Sequence, residues 1–156
     1  MVSSIMKWWR SATSELMSRT PIWVAALWWA SLTTLGFLVV PLLFLHLPTA
    51  AIAGAMAAKL FTAQTWVSTV CGLLLLMRTR SNQSSPYEHE ARTAMIFIVC
   101  GMLLALLSQF AVAPRIEARE NLRLWHSVGT GMYLLQWLCA AATFWKATPP
   151  RQTVQV

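Results

Sequence analysis

Four stretches of this chain run nearly free of charge, each bounded by basic or turn-forming residues. Residues 22–45, IWVAALWWASLTTLGFLVVPLLFL, carry no ionisable side chain. A run of that length as a helix crosses a hydrocarbon core of about 30 Å. Basic residues before it and LPTAAIAGA after it mimic the flanks of a signal peptide. The apolar run is well beyond the roughly 7–15 residues of a signal core, so it reads as a retained helix. Pro41 lies near its far end and predicts a kink, because proline removes a backbone hydrogen bond. After His46-Leu47-Pro48 a second run reaches Met77. Its first part, TAAIAGAMAAK, is built of small residues, and its second, LFTAQTWVSTVCGLLLLM, is apolar. Lys59 is expected at the outer interface, and Gly54 with Ala58 gives a small-xxx-small spacing that lets another helix approach.

Residues 78–92, RTRSNQSSPYEHEAR, are the clearly polar loop. The third span is expected over 93–113, stopping at Pro114. A charged connection, PRIEARENLR, follows, then a fourth span over 124–145 and a tail with the composition of disorder from 147. At the other end, Ile5, Trp8, Trp9, Ala12 and Leu16 recur at helical spacing opposite Lys7, Arg10, Ser11, Ser14 and Arg19. Residues 1–20 therefore read as an amphipathic helix in the headgroup region, with Pro21 opening the next helix. The expected fold is an all-α integral membrane protein: a four-helix transmembrane bundle over 21–146 (spans about 22–45, 51–77, 93–113 and 124–145) preceded by an N-terminal interfacial amphipathic helix.

Composition agrees with this reading. Hydrophobic residues make up 57% and charged residues 11% of the chain, against about 25% charged in soluble domains. A soluble chain this short could not cover its surface with so few charges, so the surplus apolar surface is expected to face lipid. The net charge of +7 does not point to nucleic acid, because the basic residues cluster at the ends of apolar runs, as headgroup anchors do. With four spans, Lys7, Arg10, Arg19, Arg78, Arg80, Arg92, Lys146 and Arg151 share one side, and Lys59, Arg115, Arg119 and Arg123 the other. The richer side is expected inside, giving a cell membrane protein, read as bacterial inner membrane, with both termini cytoplasmic.

Four segments in this order, VVPLLFLHLP, AAIAGAMAAKLF, APRIEA and RLWHSVGTG, resemble the transmembrane protein 205-like family, known in bacteria as domain of unknown function 4149. The resemblance covers roughly residues 22–145. It implies a four-helix membrane bundle and brings no settled catalytic site. Residue by residue it falls on Leu47-Pro48, Gly54, Leu60-Phe61, Pro114-Arg115 and His126. The family often shows Arg-x-His-Gly at the fourth helix; here Leu124 stands two before His126, Arg123 one further back, and Ser127 replaces the glycine.

Candidate chemistry is sparse. Glu15, Glu88, Glu90, Glu117 and Glu120 all lie in connections or at span ends, so no carboxylate relay, hydrolytic pair or calcium cage is expected inside the bundle. Phosphate loops, dinucleotide glycine patterns, HExxH and GxSxG are missing from the sequence. No enzyme activity is expected. Chain direction places His46, Lys59, Gln64, Gln109, Arg115 and His126 near one membrane face. His46 and His126 at similar depth are candidate ligands for a metal ion or haem iron; the plainer reading is an interfacial polar cluster satisfied by water and headgroups. Arg115 leads a segment in which Glu117, Arg119, Glu120 and Arg123 can pair as a solvated lid, or serve as an anion-attracting patch.

Cys71, Cys100 and Cys139 each lie about seven or eight residues from the inner flank of their span. They form a candidate thiol cluster suited to Cu(I), or else plain packing, and no disulfide is expected. His89, in the polar loop, reads as solvated. The tryptophans read mostly as interfacial belt residues, Trp28 and Trp29 among them, with Trp66 and Trp137 deeper. Gln136 and Tyr133 are expected to hydrogen-bond between helices, and Ser127, Gly129 and Gly131 to form a close-packing surface. The expected role is non-enzymatic, structural or accessory, without a resident cofactor. The expected partners are the lipid bilayer and either another membrane protein or further copies of the chain. The alternative is binding or passage of a metal or haem at His46/His126.

Overall fold

The computed structural model describes residues 19–81, 88–118 and 121–148. The helix expected over 1–20 and the tail after 147 fall almost wholly outside them, as do loop residues 82–87. The described residues form four helices: α1 (Arg19–His46), α2 (Ala50–Ser81), α3 (88–117) and α4 (Leu122–Ala147). No strand occurs among the described residues. Three helices, α1, α2 over Ala50–Thr79 and α3 over Arg92–Glu117, are long and apolar enough to cross a membrane.

The turns follow local chemistry. Leu47 ends α1 in an extended conformation (φ −83°, ψ 146°), which Pro48 imposes on the residue before it. Asn121 opens α4 in the left-handed region (φ 39°), where Asn is among the few tolerated side chains. Its carbonyl accepts the amides of Leu124 and Trp125.

Two helices widen before a proline. α1 becomes a π-helix over Leu35–Val39 and α3 over Ser108–Val112, each followed by a final α-helical turn carrying Pro41 or Pro114. The local pattern repeats, Phe37-x-Val39-x-Pro41 and Phe110-x-Val112-x-Pro114. Proline offers no N–H to the carbonyl four residues back and crowds it. Widening the preceding turn moves that carbonyl aside. Hence Pro114 does not stop the third helix, as the sequence led one to expect; the helix continues to Glu117.

Buried residues recur along one face of each helix: Ala25, Trp28, Leu32 and Leu35 on α1; Ala53, Ala57, Gln64, Ser68, Cys71 and Leu75 on α2; Ile98, Ala105 and Val112 on α3; Gln136, Cys139, Ala140 and Thr143 on α4. Ala25, Trp28, Leu32, Cys71, Leu75, Ile98 and Ala140 form one contiguous core. Trp28 is 0% exposed, so it is a core residue and not the belt residue its position in the sequence suggests. Likewise the small residues of α2 that turn inward are Ala53 and Ala57, one position off from Gly54 and Ala58. A Cβ on Gly54 would meet nothing within 4 Å.

The outer surface is apolar on every helix, with Trp23, Leu45, Trp66, Met77, Ile96 and Leu138 exposed. Hydroxyls on these helices bond back to their own carbonyls, as Thr33 to Trp29, Thr65 to Phe61 and Thr143 to Cys139. An apolar surface over helices whose threonine hydroxyls bond back to their own backbone is compatible with a multi-pass membrane protein.

Candidate functional site

Buried Gln64, Ser68 and Gln136 meet half-buried polar side chains in one layer, while buried Thr65 and Thr143 bond back to their own helices. α1 supplies Ser31 and Thr33, α2 supplies Gln64 and Ser68 one turn apart, and α4 supplies Tyr133, Gln136 and Trp137 at i, i+3 and i+4, which share a helix face. Gln64 Nε2 donates to Ser31 Oγ at 2.9 Å and to Ser68 Oγ at 3.5 Å. Gln136 Nε2 donates to Ser68 Oγ at 2.9 Å, and Ser31 Oγ donates to the Trp28 carbonyl at 2.9 Å. Ser68 is 0%, Gln136 3% and Gln64 8% exposed. Trp137 Nε1 donates to Thr33 Oγ1 at 2.9 Å. One hydroxyl, Ser68, therefore receives amides from two helices, and the chain of bonds runs α1–α2–α4.

Tyr133 makes the most unusual contact. Its hydroxyl donates to the Leu32 carbonyl at 2.7 Å, and its ring lies against Gly36, where an added Cβ would sit 2.6 Å from Cε1. Leu32 C=O and Gly36 N–H are the i, i+4 partners of an uninterrupted α-helix. A side chain inserted between them is a recognised cause of local helix distortion, and the π-helical stretch of α1 begins at the neighbouring Leu35. The Tyr133 ring also lies edge-on to Phe61 at 5.3 Å. Trp29 bridges α1 and α4, stacked on Phe144 at 5.7 Å and tilted on Trp137 at 6.0 Å.

Chemically, this layer is a staple. Its donors are amides, hydroxyls and an indole, with no carboxylate, lysine or arginine in it. A concave feature lies elsewhere: an apolar crevice of about 200 Å³ between Thr20, Pro21 and Val24 on α1 and Leu74, Leu75, Met77 and Arg78 on α2.

The sequence-derived residues differ in burial. Gln64, grouped in sequence with the outer polar cluster, lies in the buried layer, while Lys59 is exposed. His46 is exposed, with Nδ1 3.0 Å from the Leu42 carbonyl of its own helix. His126 is exposed, its carbonyl taken by Thr130. Gln109 is half-buried in the π-helical stretch of α3. Arg115 is exposed, donates to the Ala111 carbonyl at 3.2 Å and stacks 4.4 Å from the Trp125 ring centroid, joining the end of α3 to the start of α4. Arg119 and Glu120, half of the expected lid, lie outside the described residues.

Cys71 packs in the core, Cys139 is buried on α4 and Cys100 is half-buried on α3. All three thiols are free. Among the described residues no three His, Cys, Asp or Glu side chains gather as a metal site would require. Of the glycines on α4, Gly129 packs on Val112 and Ile116, while Gly131 meets nothing within 4 Å.

The expectation that Gln136 and Tyr133 bond between helices is met. Ser31, Thr33 and Ser68 do not stand out in the sequence. The available signal is spacing: Gln64, Ser68 and Cys71 share one helix face, and so do Ser31 and Leu35. A double-mutant cycle on Ser68→Ala and Gln136→Leu, read by unfolding in mixed micelles, is expected to give a coupling of about 0.6–1.7 kcal/mol. Strict additivity would mean that the bond contributes nothing.

The family model described as "Domain of unknown function (DUF4149)" matches residues 23–124, about two thirds of the chain. No curated protein and no solved structure matches.

Proposed function

The chain belongs to the DUF4149 family, and on that premise we propose that it is a four-span inner-membrane protein with both termini cytoplasmic and a structural or accessory, non-enzymatic role. Kinship to the transmembrane protein 205-like proteins is part of the same proposal. The observation that carries the role is the buried layer of Ser31, Gln64, Ser68 and Gln136. These groups bond one another across three helices, which is how polar residues act as glue between membrane helices and not how a transport path is lined.

α4 supplies the fourth span. Its 26 residues reach about 39 Å at 1.5 Å per residue. Tyr133, Gln136 and Thr143 lower its hydropathy, yet these residues point into the bundle, so they cost little against lipid. Alkaline phosphatase fused after Arg119 should be active and after Ser84 inactive. Activity at the second site alone would invert the topology.

A second reading, metal or haem binding at His46 and His126, is favoured by one observation. The Leu42 carbonyl fixes the Nδ1 side of His46, which leaves Nε2 as the ligating nitrogen, as second-shell bonds do in metal sites. One preparation separates the readings. The accessory reading expects purified protein to be colourless and metal-free, and proteoliposomes to be no leakier to protons or divalent cations than empty vesicles. A Soret band or stoichiometric metal lost in His46→Ala would put the second reading first. Flux lost in Gln136→Leu would overturn the staple.

A further inference from the structure

Ser31 and Gln64 tie α1 to α2 near the middle of the bundle, and Ala25 and Trp28 share the core with Leu75 nearer one end. Beyond that core the two helices leave an apolar crevice of about 200 Å³, with Pro21 and Val24 on one wall and Leu74, Leu75 and Met77 on the other. Leu75 is 4% exposed, whereas Leu74 and Met77 are 47% and 71% exposed, so the crevice backs onto the core and opens outward. Its α2 wall ends in a cation, the half-buried Arg78. On α1 the exposed Arg19 stands one residue before Thr20, which also lines the crevice. α1 and α2 contain no aspartate or glutamate, so each wall ends in positive charge. We propose that this crevice is a binding site for one anionic glycerophospholipid, with an acyl chain lying between α1 and α2 and the phosphate at Arg78 and Arg19.

On the membrane reading above, on which the choice of occupant rests, Leu74 and Met77 face lipid and Arg78 lies at headgroup depth. From Leu74 to Arg78 is about one helical turn, about 6 Å at 1.5 Å per residue, so the crevice takes the part of an acyl chain nearest its headgroup. Apolar walls favour the chain, and arginine presents a fork of donors that fits phosphate oxygens. A zwitterionic head carries the same phosphate but brings its own cation beside the two arginines. That repulsion makes the site selective for net negative charge. Arg92 on α3 and Lys146 on α4 lie at the same end of the bundle and attract anionic headgroups as any basic flank does. The crevice adds a seat for the chain, which distinguishes a site from a charged surface.

The test uses full-length protein in phosphatidylcholine vesicles, first shown to stay with the membrane in sodium carbonate. Release by carbonate would overturn the membrane reading, and this site with it, before any lipid is compared. Phosphatidylglycerol and phosphatidylcholine probes, each with a diazirine on the same acyl carbon near the glycerol, are then photolysed at trace level and labelled peptides identified by mass spectrometry. The expected result is labelling within residues 21–24 and 74–77, at least about fivefold higher with the phosphatidylglycerol probe. Arg78→Gln should lower that preference about fivefold, the factor for one basic residue at an anionic headgroup, and Arg78→Lys, which keeps the charge, should lose less. Arg92→Gln removes the same charge at the same end but away from the crevice, and should stay within about twofold of the parent. Equal labelling by the two probes in the parent would overturn the selectivity. Equal losses in Arg78→Gln and Arg92→Gln would overturn the site in favour of diffuse surface attraction. Labelling of neither wall by either probe would mean that residues 1–18 or a second copy of the chain fills the crevice, and would overturn its occupancy by lipid.

Discussion

Replacing Trp28 with alanine is expected to lower the unfolding free energy by about 3 kcal/mol, the largest effect of any single truncation in this bundle. The indole is 0% exposed and packs with Ala25, Leu32, Cys71, Leu75, Ile98 and Ala140 from all four helices. In soluble proteins such a truncation costs about 3–5 kcal/mol, part of it the transfer of the side chain out of water. That part shrinks when the unfolded helices remain in hydrocarbon, whereas the dispersion attraction forfeited around the cavity does not. A partial offset comes from Nε1, which has no hydrogen-bond partner, so its removal also removes an unsatisfied buried donor. Trp23, 69% exposed on the same helix, is the control, with Trp23→Ala expected within about 0.5 kcal/mol of the parent. Denaturation by SDS in mixed micelles, followed by circular dichroism, reads both. Equal losses would mean that Trp28 faces lipid.

Why Trp28 reads as a belt residue from sequence is a matter of solvent. In water, polar positions mark the outer face of a helix, and periodicity shows which side is buried. In lipid both faces are apolar and that contrast disappears. Tryptophan near a basic flank then suggests the interface, whether or not the ring turns inward. The same loss of contrast displaces the small-residue face of α2 by one position, from Ala53/Ala57 to Gly54/Ala58. Total apolar length survives this ambiguity, so the four helices are legible almost to their ends.

Polar residues fare better because each stands out against an apolar helix. Gln136 and Tyr133 read as interhelical donors, and they are. Gln64 is visible too, but its depth in the sequence reading follows that of Lys59, five residues earlier. Counting along one helix does not show that it meets Ser31 and Ser68. The π-helical stretches lie beyond sequence reading for a different reason. Proline predicts a disturbed hydrogen bond but not whether the helix kinks, stops or widens, and in α1 a hydroxyl from Tyr133, 101 residues away from Leu32, shares in that outcome.

The second large effect concerns glycines, where clash distance alone ranks the sites wrongly. A Cβ on Gly72 would sit 2.3 Å from Met102 Sδ and 2.4 Å from its Cγ; one on Gly101 would sit 2.8 and 2.9 Å from Trp28 Cη2 and Cζ2 and 3.3 Å from Cys139 Cβ. The closer contact is the cheaper one. Met102 is partly buried and unbranched and can swing its thioether aside, while alanine gains about 1 kcal/mol of helix propensity over glycine. Gly72→Ala should therefore lie within about 1 kcal/mol of the parent. At Gly101 neither neighbour can yield: Trp28 is enclosed, and Cys139 Cβ is fixed to the α4 backbone. The helices must separate, at a cost of about 2–3 kcal/mol, in the range for overpacked cores. Trimming the tryptophan should return part of that loss, so Gly101→Ala combined with Trp28→Phe is expected to be less destabilising than the sum of the two by at least about 0.5 kcal/mol. Should Gly72→Ala prove the more damaging of the two glycine variants, or the Gly101–Trp28 pair prove additive, the close packing of α3 on α1 at this level would be wrong.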